Sequence, residues 1–424
     1  MSNNKHSVTL DISRCKGCTN CIKRCPTEAI RVRAGHAVIT TEKCIDCGEC
    51  IRVCPYQAKK AIFDKLEDFS NYKYKIALPA PALYGQFEDI DDIDYILTAL
   101  LECGFDYVLE VSKAAEIITD YTRRYMKRSD IPMPVISSAC PAIVRLITLR
   151  FPYLANNLMP ILPPIEYAAK IARKEVLSKH PELSDDDICV LFISPCPAKV
   201  SYVKNPLGIE KSAVTGALAI NDIYFKIRSK FKDISNPSQN SETGIIGLNW
   251  AGTGGEATSL LSEKYLAADG IENCIQVLDQ IENGTIHNLE FVELNACRGG
   301  CVGGILNIEN PYIAKARLRS LRKYLPISRN HADSAENYIP DEIFQETNHL
   351  NSEDYHSLKL SEDRNIAIMK MSEIEKIYNQ LPHLDCGSCG APNCHALAED
   401  IVKGEASESD CLIKLRDKLL NNKE

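Results

Sequence analysis

Cysteines dominate the chemistry that this chain can perform. Of its nineteen cysteines, eight lie within the first 54 residues, in two successive runs with the spacing C-x2-C-x2-C-x3-C-P. Thiolates are soft ligands that select iron–sulfur clusters or zinc. The tight spacing lets three thiolates surround one face of a cubane, and the proline then turns the chain away. Paired zinc knuckles are the alternative, but zinc sites rarely use four cysteines in this rhythm twice.

The doubled run resembles that of bacterial two-cluster ferredoxins, in which the fourth cysteine of each run ligates the other cluster. The resemblance implies two 4Fe–4S clusters near the N-terminus. The first would be held by Cys15, Cys18, Cys21 and Cys54. The second would be held by Cys44, Cys47, Cys50 and Cys25.

The middle of the chain contains three further cysteine motifs, SSACPAIV, SPCPAKV and ELNACRGGCVGG. Each follows a run of apolar, β-branched residues that predicts a buried strand. Sites in parallel sheets form beyond the carboxyl ends of the strands. We therefore expect the three loops to converge, although they are far apart in the sequence. Their cysteines are Cys140, Cys196, Cys297 and Cys301.

In this order, and behind a two-cluster module, the three motifs resemble the signature loops of iron-only (FeFe) hydrogenases. In that family the loops hold the H-cluster, a 4Fe–4S cubane joined through one cysteine to a di-iron unit with CO and CN⁻ ligands. The resemblance assigns a role to seven residues. They are Cys140, Cys196 and Cys297 as cubane ligands, Cys301 as the bridge, Lys199 as a hydrogen-bond donor to a cyanide, and Ala80 and Pro81 as pocket wall.

Three residues differ from typical catalytic members of that family. Ala139 stands where those members have a cysteine that relays protons, and Ser194 and Asn295 replace methionines. The two polar side chains are expected to hydrogen-bond cluster ligands and to shift redox potentials. The changes resemble the divergent branch of the family that is often called sensory, and the alanine predicts slow turnover.

Another acid would then have to carry protons to the site. Glu256, in GTGGEATS, and Glu293, in VELNAC, are the candidates because both are expected at turns near the cysteine loops. Burial there would raise the pKa of a carboxyl group into the range of a proton relay. Each could equally be a carboxylate in the first turn of a helix. GTGG also looks like a phosphate loop, but the Walker lysine and the full dinucleotide pattern are missing.

The last cysteine motif has the spacing C-x2-C-x4-C-x16-C, and a helical stretch in the long gap would return the last thiol to the first three. It resembles the four-cysteine 4Fe–4S domain of some membrane-associated electron-transfer subunits and corrinoid proteins. Zinc is the alternative here as well. Counting the cubane, this would be the fourth 4Fe–4S centre, with ligands Cys386, Cys389, Cys394 and Cys411.

The sequence patterns of the segments that position these residues predict an α/β fold. Strand-like runs alternate with helical patterns such as those over 113–126, 141–150 and 255–268, which predicts a body of mostly parallel sheets flanked by helices. We expect a small α+β ferredoxin-like domain before it and a small helical 4Fe–4S domain after it. The predicted bounds are 1–68 for the two-cluster domain, 72–325 for the H-cluster body, 328–365 for a polar linker, and 371–424 for the last domain.

Composition narrows the class of protein further. A net charge of −8 disfavours nucleic acid as a partner, and no apolar run reaches the length of a membrane span. No secretion signal is visible, so we expect a cytoplasmic, reducing location. In such a compartment nineteen cysteines indicate metal or redox chemistry and not disulfides.

The resemblance implies an oxygen-sensitive protein of anaerobic metabolism that interconverts H2 with protons and electrons. A ferredoxin or a signalling protein would be the redox partner, and dedicated maturation enzymes would install the di-iron unit. The first expectation is a slow, ferredoxin-linked hydrogenase. The alternatives are an H2 sensor that uses the same site, and a non-catalytic electron carrier or assembly protein without the di-iron unit.

Overall fold

The computed structural model describes residues 6–88, 90–332, 338–346 and 360–421. These residues form two compact units. The larger unit contains residues 6–7, 45–47 and 62–346, and the smaller one contains residues 8–44, 48–61 and 360–421. The smaller unit thus joins most of the N-terminal cysteine runs to the C-terminal cysteine motif, two parts that the sequence treats as separate domains.

The N-terminal part of the smaller unit is a pair of two-stranded antiparallel sheets with two short helices. β1 pairs with β4, and β2 pairs with β3. The apolar core between them contains Val8, Ile22, Ile30 and several of the cysteines, so the sheets close around the thiols. The elements are β1 (Val8–Leu10), α1 (Asn20–Lys23), β2 (Ile30–Arg33), β3 (His36–Ile39), α2 (Glu49–Arg52) and β4 (Lys59–Ala61).

Two parallel sheets form the centre of the larger unit. One has the strand order β6-β5-β8-β9 and the other has the order β10-β11-β7, and every pairing in both is parallel. Most of the strands are apolar runs buried on both faces, as is usual in parallel sheets, whereas the edge strands β6 and β10 are only partly buried. They are β5 (Tyr74–Pro79), β6 (Tyr107–Val108), β7 (Val135–Ile136), β8 (Ile188–Ser194), β9 (Gly216–Ala219), β10 (Tyr265–Asp269) and β11 (Phe291–Asn295).

Helices flank these sheets and complete the predicted α/β fold. Each long helix buries an apolar face; α4, for example, buries Ile96, Leu97 and Leu100 in the same core as β5 and β8. The helices are α3 (Pro81–Tyr84), α4 (Ile93–Glu102), α5 (Val111–Tyr125), α6 (Pro141–Arg150), α7 (Pro164–Lys179), α8 (Pro197–Lys204), α9 (Ile220–Lys230), α10 (Ile245–Asn249), α11 (Gly255–Ser259), α12 (Ile271–Glu282) and α13 (Pro311–Leu321).

The helix predicted over 255–268 is largely wrong. Only α11 is helical, Leu261 has a left-handed backbone (φ +59°), and the rest of the segment enters the sheet as β10. Pairing with β11, from Tyr265 opposite Phe291 to Asp269 opposite Asn295, satisfies the backbone there, and this long-range contact overrides the helical pattern.

Part of the predicted polar linker packs against the larger unit, through apolar residues between 338 and 346. Ile343 is buried in the core that contains Tyr125 and Phe291, and Phe344 forms a β-bridge with Ile161. Gln345 donates a hydrogen bond from Nε2 to Ser138 Oγ (3.0 Å). Residues 333–337 and 347–359 of the predicted linker lie outside the described residues.

The C-terminal part of the smaller unit is helical, as predicted. Asp363 caps the first helix by accepting from the backbone N–H of Asn365 (2.7 Å), and Asn393 caps the second by accepting from Ala396 (2.7 Å). The helices are α14 (Arg364–Tyr378), α15 (Cys394–Val402) and α16 (Leu412–Asn421). Within the described ranges, no helix combines the length and the apolar character that crossing a membrane would need.

Glu116, a buried residue of α5, fixes the segment that leads to α10 and GTGG. Its Oε1 accepts from the backbone N–H of Gly244 (2.7 Å) and Gly247 (3.3 Å). Its Oε2 accepts from the N–H of Arg329 (3.0 Å) and from the N–H (3.0 Å) and Nδ2 (2.8 Å) of Asn330. One side chain therefore satisfies donors from two loops that are distant in sequence.

We predict that Glu116→Ala destabilises the larger unit by about 2–3 kcal/mol, because it leaves buried N–H groups without acceptors. Urea unfolding under anaerobic conditions, followed by the fluorescence of Trp250, the single tryptophan, measures the loss. Glu282→Ala, which removes an exposed carboxylate from α12, is the control and should change stability by less than about 0.5 kcal/mol. Equal stability of the two variants would contradict the role given to Glu116.

Candidate iron–sulfur sites

The carboxyl ends of four parallel strands meet at one cavity of the larger unit. The cavity has a volume of about 710 Å³ and mostly apolar walls, including Val111, Ile165, Phe192 and Leu294. Most of the residues predicted for the H-cluster site line it. They are Ala80 and Pro81 after β5, Ala139 and Cys140 after β7, Lys199 after β8, Glu256 in α11, Glu293 and Asn295 of β11, and Cys301.

The first two cysteine loops share one local design. Cys140 and Cys196 each occupy the position before a helix that begins with proline, α6 or α8. Proline suits that position because its missing N–H would have no partner in the first turn. Each thiol is therefore held at a fixed strand-to-helix turn.

Ser194 closes the second loop on itself. Its Oγ donates to the carbonyl of Cys196 (2.9 Å) and accepts from the N–H of the same residue (3.3 Å). The hydroxyl thus binds the backbone of a predicted ligand, whereas it does not line the cavity.

The third loop is pressed against the second. The N–H of Leu306 donates to the carbonyl of Pro195 (2.9 Å). A Cβ at Gly304 would lie 2.2 Å from that carbonyl oxygen, so the approach requires glycine. Gly300 has φ +86°, and a Cβ there would lie 2.5 Å from the backbone N of Thr253. These contacts fix Cys301 relative to the loop that carries Cys196.

Lys199 points at the cysteines. Its Nζ lies 3.8 Å from Sγ of Cys301. Burial lowers the pKa of Lys199, but thiolate charges on Cys301, Cys196, Cys140 and Cys297 outweigh this effect and raise it, so the ammonium stays charged when these sulfurs are ionised as ligands. One cation and four thiols therefore share one buried region.

The donor set fits an iron–sulfur group. Burial raises the pKa of Cys196 to about 12 and also raises that of Cys301, so neither thiol would ionise at neutral pH by itself. Iron binding replaces the thiol protons and supplies the positive charge that a buried thiolate needs. The cavity beside Cys301 leaves space for a group larger than a single ion.

The two candidate relay carboxylates lie in the same cavity but differ in their partners. Glu293 accepts from the N–H of Gly254 (2.9 Å) and Ala257 (2.9 Å) and from Nδ2 of Asn295 (2.7 Å). Asn295 therefore binds Glu293. Burial raises the pKa of Glu293, and these donors oppose the shift.

Glu256 has a single side-chain partner among the described residues, the hydroxyl of Ser137, which donates to Oε2 at 2.6 Å. Burial and then the charge of Glu293 raise the pKa of Glu256 to about 8. At neutral pH Glu256 is a carboxylic acid. Sequence reasoning overlooked Ser137, whose Oγ also accepts from the N–H of Ala139 (3.3 Å); its place in SSAC was the available signal.

In the smaller unit, the first predicted set of ligands surrounds one cavity of about 340 Å³. Backbone N–H groups point at two of its sulfurs, from Ala37 to Cys15 (3.4 Å) and from Ala58 to Cys54 (3.2 Å). Such hydrogen bonds to sulfur tune cluster potentials. The cysteines that line the cavity are Cys15, Cys18, Cys21 and Cys54, the set in which the fourth member comes from the other run.

The second predicted set of ligands consists of Cys25, Cys44, Cys47 and Cys50. Cys25, Cys44 and Cys50 lie in the core of the smaller unit. Cys47 belongs to the larger unit, where it packs against the core that Cys140 and Cys196 also contact. This set remains a prediction.

The C-terminal cysteines gather around one small core. Cys394 and Cys411 are buried with Ile374 and Leu397, and Cys389 packs against them. Cys386 is exposed. Helix α15 fills the long gap in the motif and returns the chain toward Cys411, as predicted.

This C-terminal core is joined to strand β2 of the N-terminal sheet. Asp400, buried in α15, accepts two hydrogen bonds from Arg31, at 2.7 and 3.0 Å, and a further one from Arg33. The N–H of Val32, whose side chain lines the first cluster cavity, donates to the carbonyl of Gly390 (2.8 Å). Gly390 follows Cys389, so the two cysteine sets are attached through one strand.

Comparison with protein families identifies three segments. Residues 73–261 and 232–305 match the model described as iron only hydrogenase large subunit, C-terminal domain. Residues 7–55 match a 4Fe–4S dicluster domain, and residues 381–413 match a domain for an Fe–S cluster. The terminal modules are thus iron–sulfur domains, which decides against the zinc alternatives.

Two curated relatives and one solved structure illustrate the similarity. The chain is 25% identical over 362 residues to the periplasmic Fe hydrogenase large subunit of Nitratidesulfovibrio vulgaris, covering 70% of this chain and 86% of that protein. It is 24% identical over 370 residues to iron hydrogenase 1 of Clostridium pasteurianum, covering 70% of this chain but only 64% of that protein, less than two thirds of its length. An FeFe hydrogenase structure from Chlamydomonas reinhardtii gives a TM-score of 0.46 at 16% identity, covering 61% of this chain and 86% of that one.

We predict that Gly304→Ala lowers the iron content of the larger unit, because the new Cβ would overlap the carbonyl of Pro195 and force the second and third loops apart. Iron and sulfide analysis of anaerobically reconstituted protein should show the loss of about one cubane. Gly252→Ala is the matched control, since its Cβ would be tight only against the flexible end of Lys315, at 3.2 Å, and at ordinary contact distance from the carbonyl oxygen of Gly299, at 3.7 Å. Full iron content in the Gly304 variant would sink the idea that this contact shapes the site.

Proposed function

Because the chain belongs to the family of iron-only hydrogenase large subunits, we propose that it interconverts H2 with protons and electrons at an H-cluster. In this proposal Cys140, Cys196, Cys297 and Cys301 would hold the H-cluster, and Cys301 would be the cysteine shared by its cubane and its di-iron unit. Such a cluster supplies the redox chemistry that cleaves or forms H2. The observation that carries the proposal is one cavity bordered by cysteine thiols, a charged lysine and apolar walls.

The residues around the cavity would bind the cluster, supply a positive charge and exclude water. Lys199 offers an ammonium beside Cys301, where it would hydrogen-bond an anionic ligand such as cyanide. Ala80, Pro81, Val111 and Phe192 line the same cavity with apolar groups. In a cavity without bulk water, electrostatic contacts of this kind are strengthened.

Glu256 is the proposed proton donor. Its raised pKa keeps a proton on the carboxyl group at neutral pH, and Ser137 connects it to the loop of Ala139 and Cys140. Glu293 faces the same cavity, but three donors hold its oxygens, so we assign it the role of a fixed charge that raises the pKa of Glu256.

Turnover is slow in this proposal because Ala139, which lines the cavity, has no proton to transfer. The same observation favours a second candidate function, an H2 sensor whose cluster binds H2 with little net turnover. A non-catalytic carrier that lacks the di-iron unit is the remaining alternative, and Lys199 beside Cys301 argues against it.

Electrons would move through two 4Fe–4S clusters of the N-terminal module and one of the C-terminal module. The attachment of Gly390 to Val32 supports a path between the first N-terminal cluster and the C-terminal one. A ferredoxin-type carrier or a signalling protein would exchange electrons there, and maturation enzymes would supply the di-iron unit. We further propose a cytoplasmic, anaerobic setting, where thiolate ligands stay reduced; one curated relative is named periplasmic.

We predict that Glu256→Gln lowers the rate of H2 evolution by about 10²–10⁴-fold, the range for loss of a proton-transfer group. In the unaltered protein the rate should also fall as the pH rises above about 8, because Glu256 then loses its proton. Ser137→Ala, which removes the hydroxyl but keeps the acid, should reduce the rate in the same direction. Unchanged infrared bands in both variants are the control for an intact cluster, and an unchanged rate in Glu256→Gln would remove Glu256 from the path.

An infrared spectrum of anaerobically purified, maturated protein, before and after H2 is added, tests the function itself. The proposal requires sharp CO and CN⁻ bands that shift under H2, and the turnover rate then separates enzyme from sensor. If the iron and sulfide contents match four cubanes but no such bands appear, the hydrogenase proposal fails, and the non-catalytic electron carrier is the function that remains.

A further inference from the structure

A second cavity of about 700 Å³ lies beside the third cysteine loop, and its lining contains cations but no acidic residue. Three cations face it from α13 and the turn that follows. The remaining wall consists of the GTGG segment, one amide, one hydroxyl and two leucines. The lining residues are Leu248, Asn249, Gly252, Thr253, Gly254, Gly255, Thr258, Lys315, Leu318, Arg319 and Arg322.

The spacing of Lys315, Arg319 and Arg322 puts all three cations on one helix face. Like charges three or four residues apart on a helix repel each other and destabilise it. Among the described residues, neither Lys315 nor Arg319 has a hydrogen-bond or ion-pair partner, and Arg322 donates only to Oδ1 of Asn249 (2.9 Å). The repulsion is therefore uncompensated within the described protein.

Another cation of the same helix behaves differently. Arg317, which points away from this cavity, pairs with Glu309 at 2.8 Å. The whole chain has a net charge of −8, so acidic residues are not scarce. The absence of carboxylates beside the three cations is therefore specific to the lining of this cavity.

The glycine-rich segment does not act as a phosphate loop. The N–H groups of Gly252 and Gly255 bond to carbonyls of their own turn, that of Thr253 bonds to Gly299 (3.2 Å), and that of Gly254 bonds to Glu293 (2.9 Å). The backbone thus has no donor left for an anion, which agrees with the missing Walker lysine. Any anion here must be bound by the cationic side chains.

We propose that this cavity binds a phosphate-bearing small molecule. Arginine matches phosphate with paired N–H donors, and lysine adds a point charge. Leu248 and Leu318 offer an apolar wall for the rest of the ligand. The proposal concerns binding and does not depend on H2 chemistry.

The second cavity also contacts the third cysteine loop, through the side chain of Lys315. The Cε of Lys315 would lie 3.2 Å from a Cβ at Gly252 and 3.6 Å from one at Gly299, so its stem rests on both glycines. Gly299 lies between Cys297 and Cys301, and its carbonyl accepts from Thr253. A ligand that orders Lys315 would therefore also restrict the motion of the backbone of the third loop.

Isothermal titration of the anaerobic full-length protein with inorganic phosphate, pyrophosphate and ATP tests the proposal. Binding should be strongest for the multiply charged anions, and Arg319→Gln and Lys315→Gln should each weaken it at least about tenfold, the loss expected for one charge-assisted hydrogen bond. Lys323→Gln removes the same charge from the adjacent turn outside the cavity, so it should change the affinity less than about twofold. Hydrogen exchange should slow in residues 252–255 and 299–303 when pyrophosphate is added.

Absence of binding at millimolar concentration would overturn the proposal, as would an equal loss of affinity in the Lys323 variant, which would indicate unspecific attraction. If an acidic electron-carrier protein bound with the same dependence on Arg319 and Lys315 while the three anions did not, the surface would be a protein docking site instead. Unchanged iron content and thermal unfolding of the variants ensure that the comparison concerns binding alone.

Discussion

The ammonium of Lys199, 3.8 Å from Sγ of Cys301, reflects the constraint on which the larger unit depends: negative sulfur ligands must be buried in an apolar cavity. An unpaired buried charge is costly, and thiols in such a place resist ionisation, as the raised pKa of Cys196 shows. Iron and one lysine can together supply the opposite charge. Helix α8, which begins directly after Cys196, carries Lys199 to the cavity, where the side chain is partly buried.

The carboxyl ends of the parallel strands bring the cysteine loops to the apolar cavity with few residues. Strands β5, β7, β8 and β11 each deliver a turn to the cavity, and the turns are fixed by local bonds before any cluster is considered. Ser194 binds both backbone groups of Cys196, and Gly304 lets the third loop touch Pro195. A site held by such short contacts is preorganised for a bulky cofactor. The cost is sensitivity to any added atom at the loop contacts.

Glu256 and Glu293 have identical side chains, but their different hydrogen-bond partners give them different roles. Glu256 and Glu293 share one cavity, yet one meets a single hydroxyl and the other meets two backbone N–H groups and an amide. Glu293, which accepts more hydrogen bonds, keeps its charge more easily, and that charge helps to keep the proton on Glu256. Asn295 takes part in this division by donating a hydrogen bond to Glu293.

The sequence by itself determined the ligand types, the two-cluster rhythm of the N-terminal module and the α/β class, because cysteine spacing and apolar runs are local signals. It also located Glu256 and Glu293 near the cysteine loops. Only the tertiary structure decided that Ser137 joins Glu256, that residues 265–269 form a strand, and that Ile343 of the expected linker is buried. It alone attached Asp400 to Arg31 and gathered three cations around a second cavity. These features depend on contacts between residues distant in sequence, whose energies no local pattern contains.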